Sequence, residues 1–138
     1  MSLVLDPSLT LSWYFEDETT PEADVILDRV VEHGAVVPSL WRLEVANGFQ
    51  MAIRRKRIDI AFRDKALLEL GAMAVLVDGE TDAGAWASTL RLADQFGLTV
   101  YDAAYLELAL RRTLPLASLD RALVAAARSS GVQTLGGQ

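Results

Sequence analysis

Short apolar runs recur along this chain, each followed by a turn and then by apolar positions at helical spacing. Leu3-Val4-Leu5 reads as a first strand leading into a short helix over Ser8–Phe15. The acidic loop EDETTPE follows, then a helix from about Glu22 to His33. Ala35-Val36-Val37 forms a second strand, stopped by Pro38. A long helix is predicted from Leu40 to about Lys56, another over Asp59–Gly71, and a third strand over Ala74–Val77. Helical spacing returns at Thr81–Phe96 and Asp102–Arg112, then a strand at Leu116–Ala117, a helix at Asp120–Ser129 and a last short strand at Val132–Leu135. Strands alternating with helices predict an α/β fold, with a central parallel sheet of about four to five short strands and helices on both faces. Repeats, linkers and low-complexity stretches are absent, so the pattern predicts one domain over residues 1–138.

Composition narrows the chemistry. The chain is 51% hydrophobic and 23% charged, which describes a folded core rather than a disordered tail. It has no cysteine, so disulfides, zinc ribbons and thiol nucleophiles are excluded and a reducing cytoplasm is the expected setting. His33 is the only histidine and lies in VVEHG, where Gly34 looks like a helix C-cap. It therefore reads as a surface group complementing a helix dipole. A net charge of −6 argues against a protein that coats nucleic acid through a general positive field, though not against one that grips phosphates locally through a metal. No apolar run is long enough to span a membrane.

Candidate chemistry lies in the carboxylates. Ligands of a parallel α/β sheet sit outside the carboxyl ends of its strands, where strand order reverses. Three aspartates fall where apolar runs give way to helices: Asp6 after LVL, Asp102 after LTVY and Asp120 after LASL. Each is also a credible N-cap. Glu44 differs, because it lies within SLWRLEVANGFQMAI, a segment apolar almost all the way round at helical period. Glu44 and Asn47 are spaced i, i+3 and share a face. A carboxylate there needs either a partner, such as Arg42 or Arg54, or a metal. Together the four acids form an all-oxygen set suited to Mg²⁺ or Mn²⁺, whose chemistry is phosphoryl transfer or phosphodiester hydrolysis.

In order, the segments LVLDPSLTLSWYF, VPSLWRLEVANGF, GLTVYDAAYLELAL and LPLASLDRAL resemble the four motifs of the PIN-domain ribonucleases, specifically the VapC-type toxins of toxin–antitoxin pairs. The resemblance implies a Mg²⁺- or Mn²⁺-dependent endoribonuclease that hydrolyses single-stranded RNA with a metal-activated water. It implies Asp6, Glu44, Asp102 and Asp120 as catalytic and metal-binding acids, with Asn47 and Ser118 orienting them. A homodimer and a cognate VapB-like antitoxin are the partners it implies. One departure stands out: Pro7 follows the first acid, where the family usually has a small residue. Proline suits a helix start, but it bears on the aim of Asp6 and leaves a non-cleaving RNA- or protein-binding module as the alternative.

Arg54, Arg55, Lys56 and Arg57 form the one dense basic run. It reads either as a solvated helix C-terminus or as an RNA-phosphate patch beside the acids. Trp13, Tyr14 and Phe15 are expected in core or partner-interface packing, and Trp41 and Trp86 in the core or in antitoxin and dimer contacts.

Overall fold

The computed structural model describes residues 2–137. Along the chain run β1 (Val4–Leu5), α1 (Pro7–Ser12), α2 (Pro21–His33), β2 (Ala35–Val37), α3 (Trp41–Arg54), α4 (Ile60–Gly71) and β3 (Val75–Val77). Then come α5 (Thr81–Gly84), α6 (Ser88–Phe96), α7 (Val100–Arg112), β4 (Leu116–Ala117), α8 (Arg121–Ser129) and β5 (Thr134–Leu135). All strand pairs are parallel, in one sheet ordered β3-β2-β1-β4-β5. From β1 the chain moves outward through β2 to β3, then crosses to β4 on the other side of β1. With right-handed crossovers, this reversal lays helices on both faces.

The reversal falls between β1 and β4, where Val4 pairs with Leu116 and Leu5 with Ala117. Leu3, Val4 and Leu5 are fully buried, as are Leu116 and Ala117, which accounts for their unbroken apolar runs. Helix α7 is buried at every position from Ala103 to Ala109, so its sequence lacks a polar stripe. Edge strand β3 is looser, with Leu76 and Val77 exposed.

The structure departs from the sequence reading at three helices. Helix α1 stops at Ser12, and Trp13 and Tyr14 continue as turn, with Trp13 Nε1 donating to the Ala23 carbonyl at 2.9 Å. The continuous helix expected over Thr81–Phe96 is two helices, α5 and α6, broken by a turn at 85–87 that leaves Trp86 93% exposed. Trp41, by contrast, is core. Helix α7 begins at Val100 rather than Asp102, and its N-cap is Thr99, whose side chain accepts from the Asp102 N–H at 3.1 Å. Asp102 is therefore no cap, and its carboxylate is free of that task.

Candidate metal centre

Asp6 leaves the carboxyl end of β1 and caps α1, with Pro7 at the first helical position. Its backbone is tied to β4 by the Asp6 N–H donating to the Ala117 carbonyl at 3.0 Å. All the donors reach one oxygen. Asp6 Oδ2 accepts from the Ser8 N–H at 3.3 Å, from the Ser8 hydroxyl, and from the Ser118 hydroxyl at 2.9 Å. Oδ1 accepts no hydrogen bond among the described residues, yet it is not sealed from solvent. With Pro7 at the first helical position, Asp6 still caps α1. The two serines in turn hold the β4–α8 loop, because Ser8 Oγ accepts from the Leu119 N–H and Ser118 Oγ from the Asp120 N–H, each at 3.0 Å.

Asp120 caps α8, its Oδ1 accepting from the Leu123 N–H at 2.9 Å. Glu44 sits in the first turn of α3, half-buried. It pairs with neither Arg42 nor Arg54. Its partner is the Tyr105 hydroxyl, which donates to Oε1 at 2.6 Å from α7. Asp102 lies one turn before Tyr105 on the same helix face. Asn47 is exposed, and among the described residues no hydrogen bond joins it to Glu44.

Electrostatics bind the four acids into one group. Burial pushes the Asp6 carboxyl up to about 6, with Asp102 raising it further against the hydrogen bonds of Ser8 and Ser118. Glu44 is raised by burial, then by Asp102, against the Tyr105 hydrogen bond. Asp102 is raised by burial and by Asp120. Burial without counter-charge is the main cause in each case, and the like charge of a neighbouring acid adds to it. Among the described residues no ion pair reaches any of the four.

Asp78 supplies the contrast. It follows β3 as Asp6 follows β1, and it is almost wholly buried. Arg111 reaches it at 2.6 Å and Arg112 at 2.9 Å, and Arg111 also bridges Glu80 and Glu107. The hydrogen bond from Arg111 holds Asp78 below the usual carboxylate range. One strand-end carboxylate is neutralised by arginines, whereas the four acids have none. Tyr105 and Ser8 are residues of the site that the sequence reading missed, and so is Asp78, which lies outside it. Asp78 was legible, since VLVD repeats the strand-then-acid pattern of LVLD.

The donor set suits a divalent cation of the Mg²⁺ class, being all hard oxygen with excess negative charge and one oxygen of Asp6 that accepts no hydrogen bond among the described residues. Among the described residues, however, no three histidine, cysteine, aspartate or glutamate side chains stand close enough together to hold a metal ion as they are placed.

The basic run lies apart from this group. Ten residues of α3 separate Glu44 from Arg54, about 15 Å along the axis. Arg57 is engaged with Asp17 at 2.6 Å and Glu18 at 3.1 Å and stacks over Phe15 at 4.4 Å. Lys56 and Arg57 line a cleft of about 1200 Å³ with Tyr14, Phe15 and Phe62, and none of the four acids opens onto it.

A family model for the PIN domain matches residues 3–129. The chain belongs to the PIN-domain family. PIN domains are generally metal-dependent nucleases. Among solved structures, this PIN domain is similar to PAE2754 from Pyrobaculum aerophilum, with a TM-score of 0.70 and 24% identity over 97% of this chain and 89% of that one. It is also similar to FitAcB from Neisseria gonorrhoeae, with a TM-score of 0.66 and 16% identity over 97% of this chain and 96% of that one. At such identities the likeness speaks to the fold. No curated protein matches the sequence. No helix among the described residues is long and apolar enough to cross a membrane.

Proposed function

We propose that this PIN domain is a Mg²⁺- or Mn²⁺-dependent endoribonuclease acting on single-stranded RNA, the toxin of a VapC-type toxin–antitoxin pair in the cytoplasm. The observation that carries the proposal is the contrast between Asp78, which is buried and matched by two arginines, and Asp6, Glu44, Asp102 and Asp120, which have no ion-pair partner among the described residues. Asp6, Glu44 and Asp102 would hold the ion, with Asp120 completing the set. A divalent cation supplies water activation and neutralisation of charge growing on phosphate oxygens. The chain's own part is to hold the carboxylates in place: Ser8 and Ser118 fix Asp6, Tyr105 fixes Glu44, and the first turn of α7 presents Asp102. Arg54, Arg55 and Lys56, all exposed at the end of α3, are proposed to bind RNA phosphates outside the cluster. Homodimerisation and a VapB-like antitoxin belong to the same proposal. The exposed apolar side chains of Trp86, Leu43 and Tyr101 are surface that a protein partner could cover.

Cleavage of end-labelled single-stranded RNA, with Mg²⁺ and with chelator, tests the reading. Wild type is expected to cut only with the metal. Asp102→Asn is expected to lose at least about a hundredfold in rate, the scale of removing a charge-stabilising group from an active site. Because Thr99 rather than Asp102 caps α7, the substitution leaves the helix start intact. Binding without cutting would favour the RNA- or protein-binding alternative.

A further inference from the structure

Glu44 and Asp6 are held in the same way. Each has one oxygen committed to hydroxyl donors, and each has a second oxygen with no hydrogen bond among the described residues. On Asp6 the donors are Ser8, in the first turn of the helix it caps, and Ser118, at the end of the neighbouring β4. On Glu44 the only hydrogen-bond donor among the described residues is Tyr105, which crosses from α7 to α3. Tyr105 is fully buried and its 2.6 Å contact is short, as a hydroxyl–carboxylate bond is. It also stands one turn beyond Asp102, so one helix face carries both a cluster acid and the group that orients another.

We propose that Tyr105 is the positioning residue of the metal centre: its hydroxyl binds Glu44 Oε1 and so reserves Oε2 for the cation. This rests on the metal-dependent reading above. A buried tyrosine that only needed an acceptor would leave metal affinity unchanged when its hydroxyl was removed. A positioning residue would not, because groups orienting metal ligands typically change affinity by about 10–100-fold when lost.

The test is the Kd for Mn²⁺ of the full chain by calorimetric titration, for wild type and Tyr105→Phe, with the melting temperature of each. Phenylalanine keeps the ring and removes one oxygen. The expected result is a Kd about 10–100-fold weaker, with a chain that still melts cooperatively. A Kd within about threefold of wild type overturns the positioning role while leaving the metal centre standing. Wild type that binds no Mn²⁺ overturns the metal centre and this inference together.

Should Tyr105→Phe not fold, fluorine NMR of wild type labelled with 3-fluorotyrosine gives the answer. The chain has three tyrosines, and the Tyr105 signal is assigned by substituting the other two. Titration with diamagnetic Mg²⁺ is expected to shift the Tyr105 signal and leave Tyr14 unmoved. A Tyr105 signal indifferent to saturating Mg²⁺ refutes the proposal.

Discussion

Asp6→Asn is predicted to make the metal-free protein more stable at neutral pH, although it should abolish function. The Asp6 carboxyl is 4% exposed and its pKa is raised from 3.8 to about 6, chiefly by burial. A displacement of about two pKa units corresponds to about 3 kcal/mol between the ionised and neutral forms. The sign follows from linkage. A raised folded-state pKa means that stability is fully present below the unfolded value near 3.8 and is lost as pH rises through about 6.

Asparagine approximates the neutral form permanently. Its carbonyl can take the place of Oδ2 beneath the Ser8 and Ser118 donors, and its amide nitrogen takes the place of Oδ1, which accepts no hydrogen bond among the described residues. The variant should therefore recover about 2–3 kcal/mol at neutral pH, which for a chain of this size is roughly 6–12 °C in melting temperature. Scanning calorimetry in chelator at neutral pH reads it directly. Lowering the pH to about 4 should close the gap, because wild-type Asp6 is then protonated. Millimolar Mg²⁺ should raise the wild-type melting temperature and leave the variant nearly unmoved, since only an ion that binds the native state stabilises it. A variant that melts at or below wild type in chelator at neutral pH would refute the reasoning.

Two further outcomes follow from the same structure. Arg111→Ala should cost about 3 kcal/mol in denaturant melts, because it strips the main partner from a buried Asp78. Since Asp78 is depressed, the stability of its pairing should be present above its unfolded pKa and lost as pH falls through the folded value. Replacing Arg54 and Arg55 with alanine should weaken binding of single-stranded RNA and flatten its salt dependence by about 0.7 in log–log slope per lost phosphate contact, leaving the Mn²⁺ Kd alone. An unchanged salt slope would remove both arginines from the RNA path.

Much of the fold could be read from the chain because two-sided burial leaves unbroken apolar runs. The strands at Ala35–Val37 and Leu116–Ala117 coincide with β2 and β4 for that reason. The break between α5 and α6 could not be read this way. Its one local signal is Gly84, the last residue of α5, because helical spacing continues across Ala85, Trp86 and Ala87. The start of α7 was legible but overlooked, since Thr99 with an acid three residues on is a capping pattern.

The limits of the site reading have a similar cause. Acids at strand ends announce themselves locally, so Asp6 and Asp120 stand where the pattern puts them, each as a cap. The partner of Glu44 could not be read locally, because Tyr105 is 61 residues away and reaches it only once α3 and α7 pack. Arginine was the natural guess on charge alone. What the fold supplies is a hydroxyl, which holds the carboxylate without neutralising it.

The central claim is that these acids share a divalent cation. Anomalous scattering from crystals soaked in Mn²⁺ tests it most directly. The account predicts a Mn²⁺ peak bounded by Asp6, Glu44 and Asp102, on the side of Asp6 Oδ1 and Glu44 Oε2, and lost in Asp102→Asn crystals. A peak only at surface carboxylates, or none among these residues at saturating Mn²⁺, would contradict it.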